Sequence, residues 1–396
     1  MKKINICFFL ISGGWGGAEN VVFNLAKFMQ KKGYRINIIL NEETYPYFKK
    51  LENVNLFNIG PTFKYKKILE DNFHITLPSI LSKNYSFTRG LKFFLSPVAT
   101  RINYLKIRKN VLSKIKEIDP DVIHFHNEIV LQFYKHLLPF LRYPTIYTSH
   151  GLIDFRNHYG LFFKLKNYKI RRLLMTFNRI TAVSKFVKQN LIYKGVTNPI
   201  DVIYNGIDSD LLKNYSETEY NEDFKLIFPG GLKKQKGGEI LRHTVIKLWE
   251  NNYKIKLFYC GSINQNFQQQ YKHECIILPG LLPHEEYLQL LSNCECFILL
   301  SETEGLPISI LEAMGLGKTV ITTKVGGIPE LIVDGINGFF VKRDPDALAE
   351  KILYVYKNPE IRKQISINNL HDIKKYDWNI IVEQYIELYK ETTFQE

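Results

Sequence analysis

Two glutamates eight residues apart, Glu304 and Glu312, stand in the stretch SETEGLPISILEAMGLGKTVITTKVGGIPELIVDGINGFFV (301–341). Carboxylates accept paired hydrogen bonds from vicinal hydroxyls, so each can hold a diol of a sugar or of a ribose. Eight residues are about two helical turns, but Gly305 and Pro307 keep the first carboxylate in a loop. Pro307 suits the first turn of a helix, and Glu312 then lies inside that helix. One carboxylate can meet a ligand beyond the helix N-terminus while the other reaches a different part of the same ligand. The amides of Gly305 and Leu306 would face an anion at that helix end. The bland reading, two surface glutamates of an amphipathic helix, is the ordinary one for such a pair taken alone.

Two further stretches suit phosphate. In FPGGLKKQKGG (228–238) a strand delivers a loop crowded with Lys233, Lys234 and Lys236 just before a helix, and cationic side chains with loop amides suit a diphosphate. A solvated lysine turn is the alternative, and the loop lacks the G-x-x-x-x-G-K-[ST] of a P-loop. In GGWGGAE (13–19) glycines let amides approach a phosphate at the start of a helix near Gly17. A dinucleotide fingerprint needs G-x-G-x-x-G, and Glu19 occupies the third glycine position, which counts against NAD. Glu42 after the second strand would otherwise imitate the ribose-binding acid of such a site.

These residues need a scaffold that delivers loops to one edge. The chain opens MKKINICFFLISGGWGGAENVVFNLA, which reads either as a secretory leader or as strand, glycine turn and helix. The apolar run is short, Asn5 interrupts it, and no small-x-small cleavage site follows, so strand and helix are expected and no signal is cleaved. Val21, Val22, Leu25, Ala26, Phe28 and Met29 recur at helical spacing before RINIIL (35–40). Short apolar runs at 121–126, 144–151, 179–184 and 200–208 predict further strands, with mostly helix between 60 and 110. A second series has strands at 225–231, 254–261, 296–301 and 319–323, helices at 239–250 and 307–315, and a last helix after Trp378. Alternation of this kind, made twice, predicts an α/β protein of two Rossmann-like domains facing across a cleft, with ligands at the carboxyl ends of the strands.

At 396 residues the chain is too long for one ordinary core. The five cysteines are odd in number and show no C-x-x-C spacing, so neither a disulfide framework nor a zinc site is expected, and a reducing cytoplasm fits. No stretch approaches the ~18 apolar residues of a spanning helix. The net charge of +14 is uneven: residues 1–204 hold 32 Lys+Arg against 12 Asp+Glu, and the remainder 21 against 27. Residues 62–116 carry 12 basic and 2 acidic residues, and FRNHYGLFFKLKNYKIRRLLMTFNRI (155–180) carries 7 basic and none acidic. Basic amphipathic helices with aromatics suit an anionic lipid surface, although a solvated lysine-rich face explains the charge equally. No recognition motif accompanies the charge, which argues against nucleic acid.

The run S-x-x-E-G-x-P-x-x-x-x-E-A-M, followed by G-K-x-V-I-x-T, V-G-G-I-P-E and D-G-x-N-G-F, resembles the signature of family-4 retaining glycosyltransferases of the GT-B fold. The order of GGAE (16–19), PDVIHFHN (120–127), SHG (149–151), AVSKF (182–186), VIYNGID (202–208), KGG (236–238) and the Trp378 helix is similar to the family's along nearly the whole chain. The resemblance implies an acceptor domain at 1–205, a nucleotide-sugar domain at 206–377 and a C-terminal helix at 378–396 packing back on the first domain. It implies a nucleotide-sugar donor and no metal or other cofactor. It gives Glu304 the hydroxyls of the transferred sugar, Glu312 the ribose, and the amides near Gly305 and Leu306 the diphosphate. Lys236 would neutralise the leaving diphosphate, Gly17 would close on it, and His150 would contact the transferred sugar. Gly280 and Leu281 would lie near the base. The family usually has Gly-Arg-Leu where this chain has Gly230-Gly231-Leu232, so one cationic clamp is missing, and a lysine lacks the bidentate fork that could replace it.

The expected activity is therefore transfer of a sugar, with retention, from a nucleotide sugar (a UDP-sugar is the first candidate) to a lipid-linked or membrane-bound glycan. Capsule, O-antigen or lipopolysaccharide assembly, by a peripheral protein on the cytoplasmic face of the inner membrane, is the expected setting. The rivals are a nicotinamide oxidoreductase with the same doubly wound sheets and a non-catalytic lipid- or nucleic-acid-binding module.

Overall fold

The computed structural model describes residues 3–60, 107–152, 161–215, 223–270 and 272–393. The helix expected between 60 and 110 falls at 61–106 outside these residues, as does the start of the second basic stretch at 155–160. By internal contacts the chain forms two compact units: Met1–Ala182 with Leu191–Asp201 and Val382–Glu396, and Val183–Asn190 with Val202–Ile381.

The first unit is a sheet of seven strands, β1 (Asn5–Leu10), β2 (Arg35–Leu40), β3 (Asn55–Asn58), β4 (Val122–His126), β5 (Thr145–Ser149), β6 (Arg179–Ala182) and β7 (Ile200–Val202). Their order is β3-β2-β1-β4-β5-β6-β7. β1 pairs in parallel with β2 on one side and β4 on the other, so it is buried on both faces and reads as a continuous apolar run. Asn5, the polar break in that run, sits at its mouth. Its side chain donates to the Ile118 and Asp119 carbonyls and accepts from Asn37, so it ties β1 to its neighbours. The helix Gly17–Lys31 buries Val21, Val22, Leu25, Ala26, Phe28 and Met29, each large side chain contributing about 1.5–3 kcal/mol, and stops at Gly33, whose φ is 77°. The helix Trp378–Thr393 closes the chain. Its buried Tyr389 bonds His124 Nδ1 at 2.7 Å, and His124 Nε2 meets the Thr148 hydroxyl at 2.6 Å.

The second unit repeats the plan with β8 (Phe224–Phe228), β9 (Ile255–Cys260), β10 (Ile276–Gly280), β11 (Cys296–Leu299), β12 (Thr319–Thr322) and β13 (Phe339–Phe340) in the order β10-β9-β8-β11-β12-β13. β8 pairs in parallel with β9 and with β11. The short strands β3 and β13 and the helices Pro345–Lys357 and Pro359–Asp372 had no clear signal in the sequence. The Asn-Gly of VIYNGID has a packing reason: a Cβ on Gly206 would lie 2.6 Å from Cδ2 of Trp378, which is 1% exposed, so only glycine admits the indole.

Candidate active site

In each sheet the strand order reverses at one point, between β1 and β4 and between β8 and β11, and the loops that leave these strands at their carboxyl ends diverge there to make a crevice. In the second unit those loops are the lysine-rich turn after β8 and the Ser301–Pro307 segment after β11. Gly231 holds φ at +51°, with its N–H on the Cys260 carbonyl at 2.9 Å and its own carbonyl taking the Tyr259 hydroxyl at 2.9 Å. Lys234–Lys236 form a single 3₁₀ turn that brings Lys236 across to the second loop. There its Nζ forms an ion pair with Oε1 of Glu304, which also accepts the Ser301 hydroxyl. The two charged side chains are 21% and 11% exposed, so the pair is partly desolvated but open to a ligand. The Glu302 amide donates to the Gln235 carbonyl at 2.9 Å, and Arg343 clamps the same junction, donating to Glu302 Oε1 at 3.0 Å and to the Gln235 carbonyl at 3.1 Å.

The Glu304 loop is pressed from behind by Gly326 and Gly327, where a Cβ would come within 1.9 and 2.0 Å of the Glu304 and Gly305 carbonyls. Gly326 and Gly327 of the V-G-G-I-P-E run thus shape the loop from behind. Among the described residues the amides of Gly305 and Leu306 meet no acceptor, and the helix Ile308–Gly315 begins just beyond them. Lys233 and Lys234 are exposed and, among the described residues, pair with no carboxylate.

Glu312 lies inside that helix, 5% exposed, and its Oε1 is 2.7 Å from Nε2 of His284. Burial pulls the His284 imidazole down, but the hydrogen bond and charge of Glu312, with the charge of Glu285, more than reverse this, and its pKa stands above the ordinary value. His284 opens the helix His284–Ser292 directly after the loop carrying Gly280, with φ at 79°, and Leu281, 79% exposed. Gly280, Leu281 and Glu312 are therefore brought to one place, and Lys236, Glu304, Gly305 and Leu306 to another on the same unit, while Gly231 packs on the Cys260–Ser262 backbone. His284 and Arg343 escaped the reading of the sequence, and Ser301, the first residue of the quoted signature, was given no role there. A histidine before E-E and an arginine outside any glycine-rich motif carry no signal of their own.

In the first unit Gly17 is exposed at the start of its helix, where a Cβ would meet nothing within 4 Å. Glu19, two residues on, is 6% exposed, and its Oε2 would lie 3.0 Å from a Cβ on Gly16, so a carboxylate already stands at this helix start. His150 follows β5, and its Nε2 lies 3.0 Å from Nδ1 of His126 at the end of β4. Burial lowers all three neighbouring imidazoles, taking His150 down to about 3 and His124 and His126 well below the ordinary value, so the row is neutral at physiological pH. Nε2 of His126 is buried without a partner among the described residues. The pair His124 and His126 was visible in the sequence as part of PDVIHFHN, but nothing there assigned either ring to His150.

Comparison with known proteins follows the same division. Residues 15–211 match the family model "Glycosyltransferase Family 4", and residues 213–371 match "Glycosyl transferases group 1". An uncharacterized glycosyltransferase of Methanocaldococcus jannaschii is 30% identical over 298 residues, 73% of this chain and 80% of that protein. The N,N'-diacetylbacillosaminyl-diphospho-undecaprenol alpha-1,3-N-acetylgalactosaminyltransferase of Campylobacter jejuni is 34% identical over 105 residues, 26% of this chain and 28% of that protein. Among solved structures, Anabaena HepE in complex with UDP and glucose superposes with a TM-score of 0.73 at 18% identity, covering 98% of this chain and 99% of that one.

Proposed function

The chain belongs to the family-4 glycosyltransferases, with their two-domain GT-B fold, and on that footing we propose that it moves a sugar from a UDP-sugar to a lipid-linked glycan with retention of configuration. The observation that carries the donor assignment is the Lys236–Glu304 pair at the reversal point of the second sheet, beside the amides of Gly305 and Leu306, which have no partner among the described residues. A diphosphate placed there meets a cation and two N–H groups, and the sugar that leaves it meets a carboxylate already aimed by Ser301.

In this reading the bond between the donor's anomeric carbon and the diphosphate oxygen breaks as the acceptor oxygen bonds to that carbon, and the acceptor's hydroxyl proton passes to the departing diphosphate. Negative charge then grows on the diphosphate, where Lys236 and the helix N-terminus are fixed in advance. Positive charge grows at the anomeric carbon, where Glu304 holds the sugar's hydroxyls. Glu312 takes the ribose, and Gly280 and Leu281 lie by the base. Gly17 and His150 keep the roles that the family resemblance gives them. No metal is assigned to the leaving group, whose charge is given to Lys236.

The lipid-linked acceptor is supported by the name of the Campylobacter relative and by the exposed side chains at 168–175 and 192–193. Arg171 and Arg172 lie over the Tyr168 ring at 5.3 and 5.8 Å, and Tyr168, Met175, Ile192 and Tyr193 are all exposed. Cations among exposed aromatics suit the headgroup region of an anionic membrane, so we place the protein peripherally, on the cytoplasmic leaflet, in capsule, O-antigen or lipopolysaccharide assembly. Among the described residues no helix is long and apolar enough to cross a membrane.

Calorimetric titration with UDP, GDP and NAD tests the donor class. Binding of UDP that is weakened by Glu312→Ala supports the reading. Tighter binding of NAD, or no nucleotide binding at all, would remove it.

A further inference from the structure

We infer that His284 is a positioning residue for Glu312, holding that carboxylate in the orientation in which it takes the ribose hydroxyls of the donor nucleotide. The inference rests on the reading of Glu312 as the ribose-binding group and adds to it a residue that no motif assigns. Nε2 of His284 and Oε1 of Glu312 are 2.7 Å apart. An ionised carboxylate has no proton to give, so the hydrogen is on Nε2 of His284, and the tautomer is set whether or not the ring is charged.

The bond has a consequence for binding. Glu312 is a buried carboxylate, and such a group is costly unless donors surround it. His284 supplies one donor to Oε1, which leaves the remaining lone pairs, about three of the four, for a diol. Without that donor the carboxylate is free to turn, and the ligand must order it on arrival. On the helix that His284 opens, the Tyr287 hydroxyl, three residues on, is buried without a partner among the described residues, and burial together with the charge of Glu312 holds its pKa well above the ordinary value. Finally, His284 follows directly on the Gly280–Leu281 loop, so one hydrogen bond ties the segment assigned to the base to the side chain assigned to the ribose.

The test measures calorimetric affinity for UDP and for 2′-deoxy-UDP in the wild type, His284→Leu, His284→Gln and Glu312→Gln. His284→Leu should weaken UDP about tenfold, the range for a hydrogen bond to a charged group. His284→Gln, whose amide nitrogen can take the place of Nε2, should recover most of the loss. Binding of 2′-deoxy-UDP, already weaker, should change less with each substitution than binding of UDP does, because one of the two hydroxyls that Glu312 takes is gone. If Glu312→Gln weakens UDP but His284→Leu does not, this inference is overturned alone. If His284→Leu and His284→Gln weaken both nucleotides alike, the histidine only supports the fold and the inference is likewise overturned. If Glu312→Gln is without effect, or the wild type binds neither nucleotide, the donor reading fails and takes the inference with it.

Discussion

Placing an arginine at position 231, where the family usually carries one, should damage this protein instead of improving it. The backbone there sits at φ +51°, a left-handed conformation that costs a residue with a Cβ about 1–2 kcal/mol. The Cβ itself would stand 2.9 Å from the amide nitrogen and 3.0 Å from the carbonyl oxygen of Ser262. Both are backbone atoms, so relief requires the 230–232 and 261–262 segments to part. That displacement strains the Gly231–Cys260 and Leu232–Ser262 hydrogen bonds, at 2.9 and 3.1 Å, and the Tyr259 bond to the Gly231 carbonyl. Overpacking of this kind adds about 1–3 kcal/mol, for a combined loss of roughly 2–5 kcal/mol. At ~2–4 °C per kcal/mol for units of 150–250 residues, Gly231→Arg should melt roughly 4–20 °C below the wild type. Gly231→Ala, which meets the same φ and the same Cβ contact without the charge, should account for most of that fall. Differential scanning fluorimetry measures the shift, and titration with UDP measures what the added cation gives back. An arginine variant as stable as the wild type that binds UDP more tightly would refute the argument. It would mean that the loop has room for the clamp and that its absence here has another cause.

Three other outcomes follow from the same geometry. Glu304→Gln should lower turnover about 10²-fold or more while Glu312→Ala mainly raises the donor KM, because the proposed site puts only the first carboxylate by the reacting sugar; equal, small effects in steady-state kinetics would contradict this. Charge reversal of Lys164, Lys166, Arg171 and Arg172 should release the protein from anionic vesicles by about 1 kcal/mol per residue, and sedimentation that ignores both salt and these changes would count against the membrane surface. The raised His284 pKa sets a pH window. Glu312 and Glu285 are the charges that raise it, so the charged pair contributes fully below the ordinary imidazole value and is lost as pH rises through the raised one. The melting temperature of the wild type should therefore fall relative to that of His284→Gln across that interval, and a constant difference would refute the pairing.

Much of the scaffold was legible because buried parallel strands are continuous apolar runs: NICFFL, VIHFH and CFIL each announce themselves. The strand Phe339–Phe340 is two residues long and NLFN alternates weakly, so neither gave a period to read. At the site, Glu304, Glu312 and Lys236 were legible as residue types at telling positions. Their partners were not, since Lys236 finds Glu304 across 68 residues of chain and His284 finds Glu312 across 28. Pairings of that kind are made by strand order, and no local pattern encodes them. The reason for glycine at 231 was also hidden, because it lies in the backbone of Ser262, not in any neighbour in sequence.

The central claim, that the Lys236–Glu304 corner holds the donor diphosphate, is tested most directly by Lys236→Ala. UDP affinity is read by calorimetry, and sugar transfer by mass spectrometry of products from a panel of nucleotide sugars with membrane extracts as acceptor. Losing a charge-assisted contact at a partly desolvated site should lower kcat/KM by about 10²-fold or more and weaken UDP in parallel. A Lys236→Ala protein that keeps both its nucleotide affinity and its turnover would show that the diphosphate is bound elsewhere.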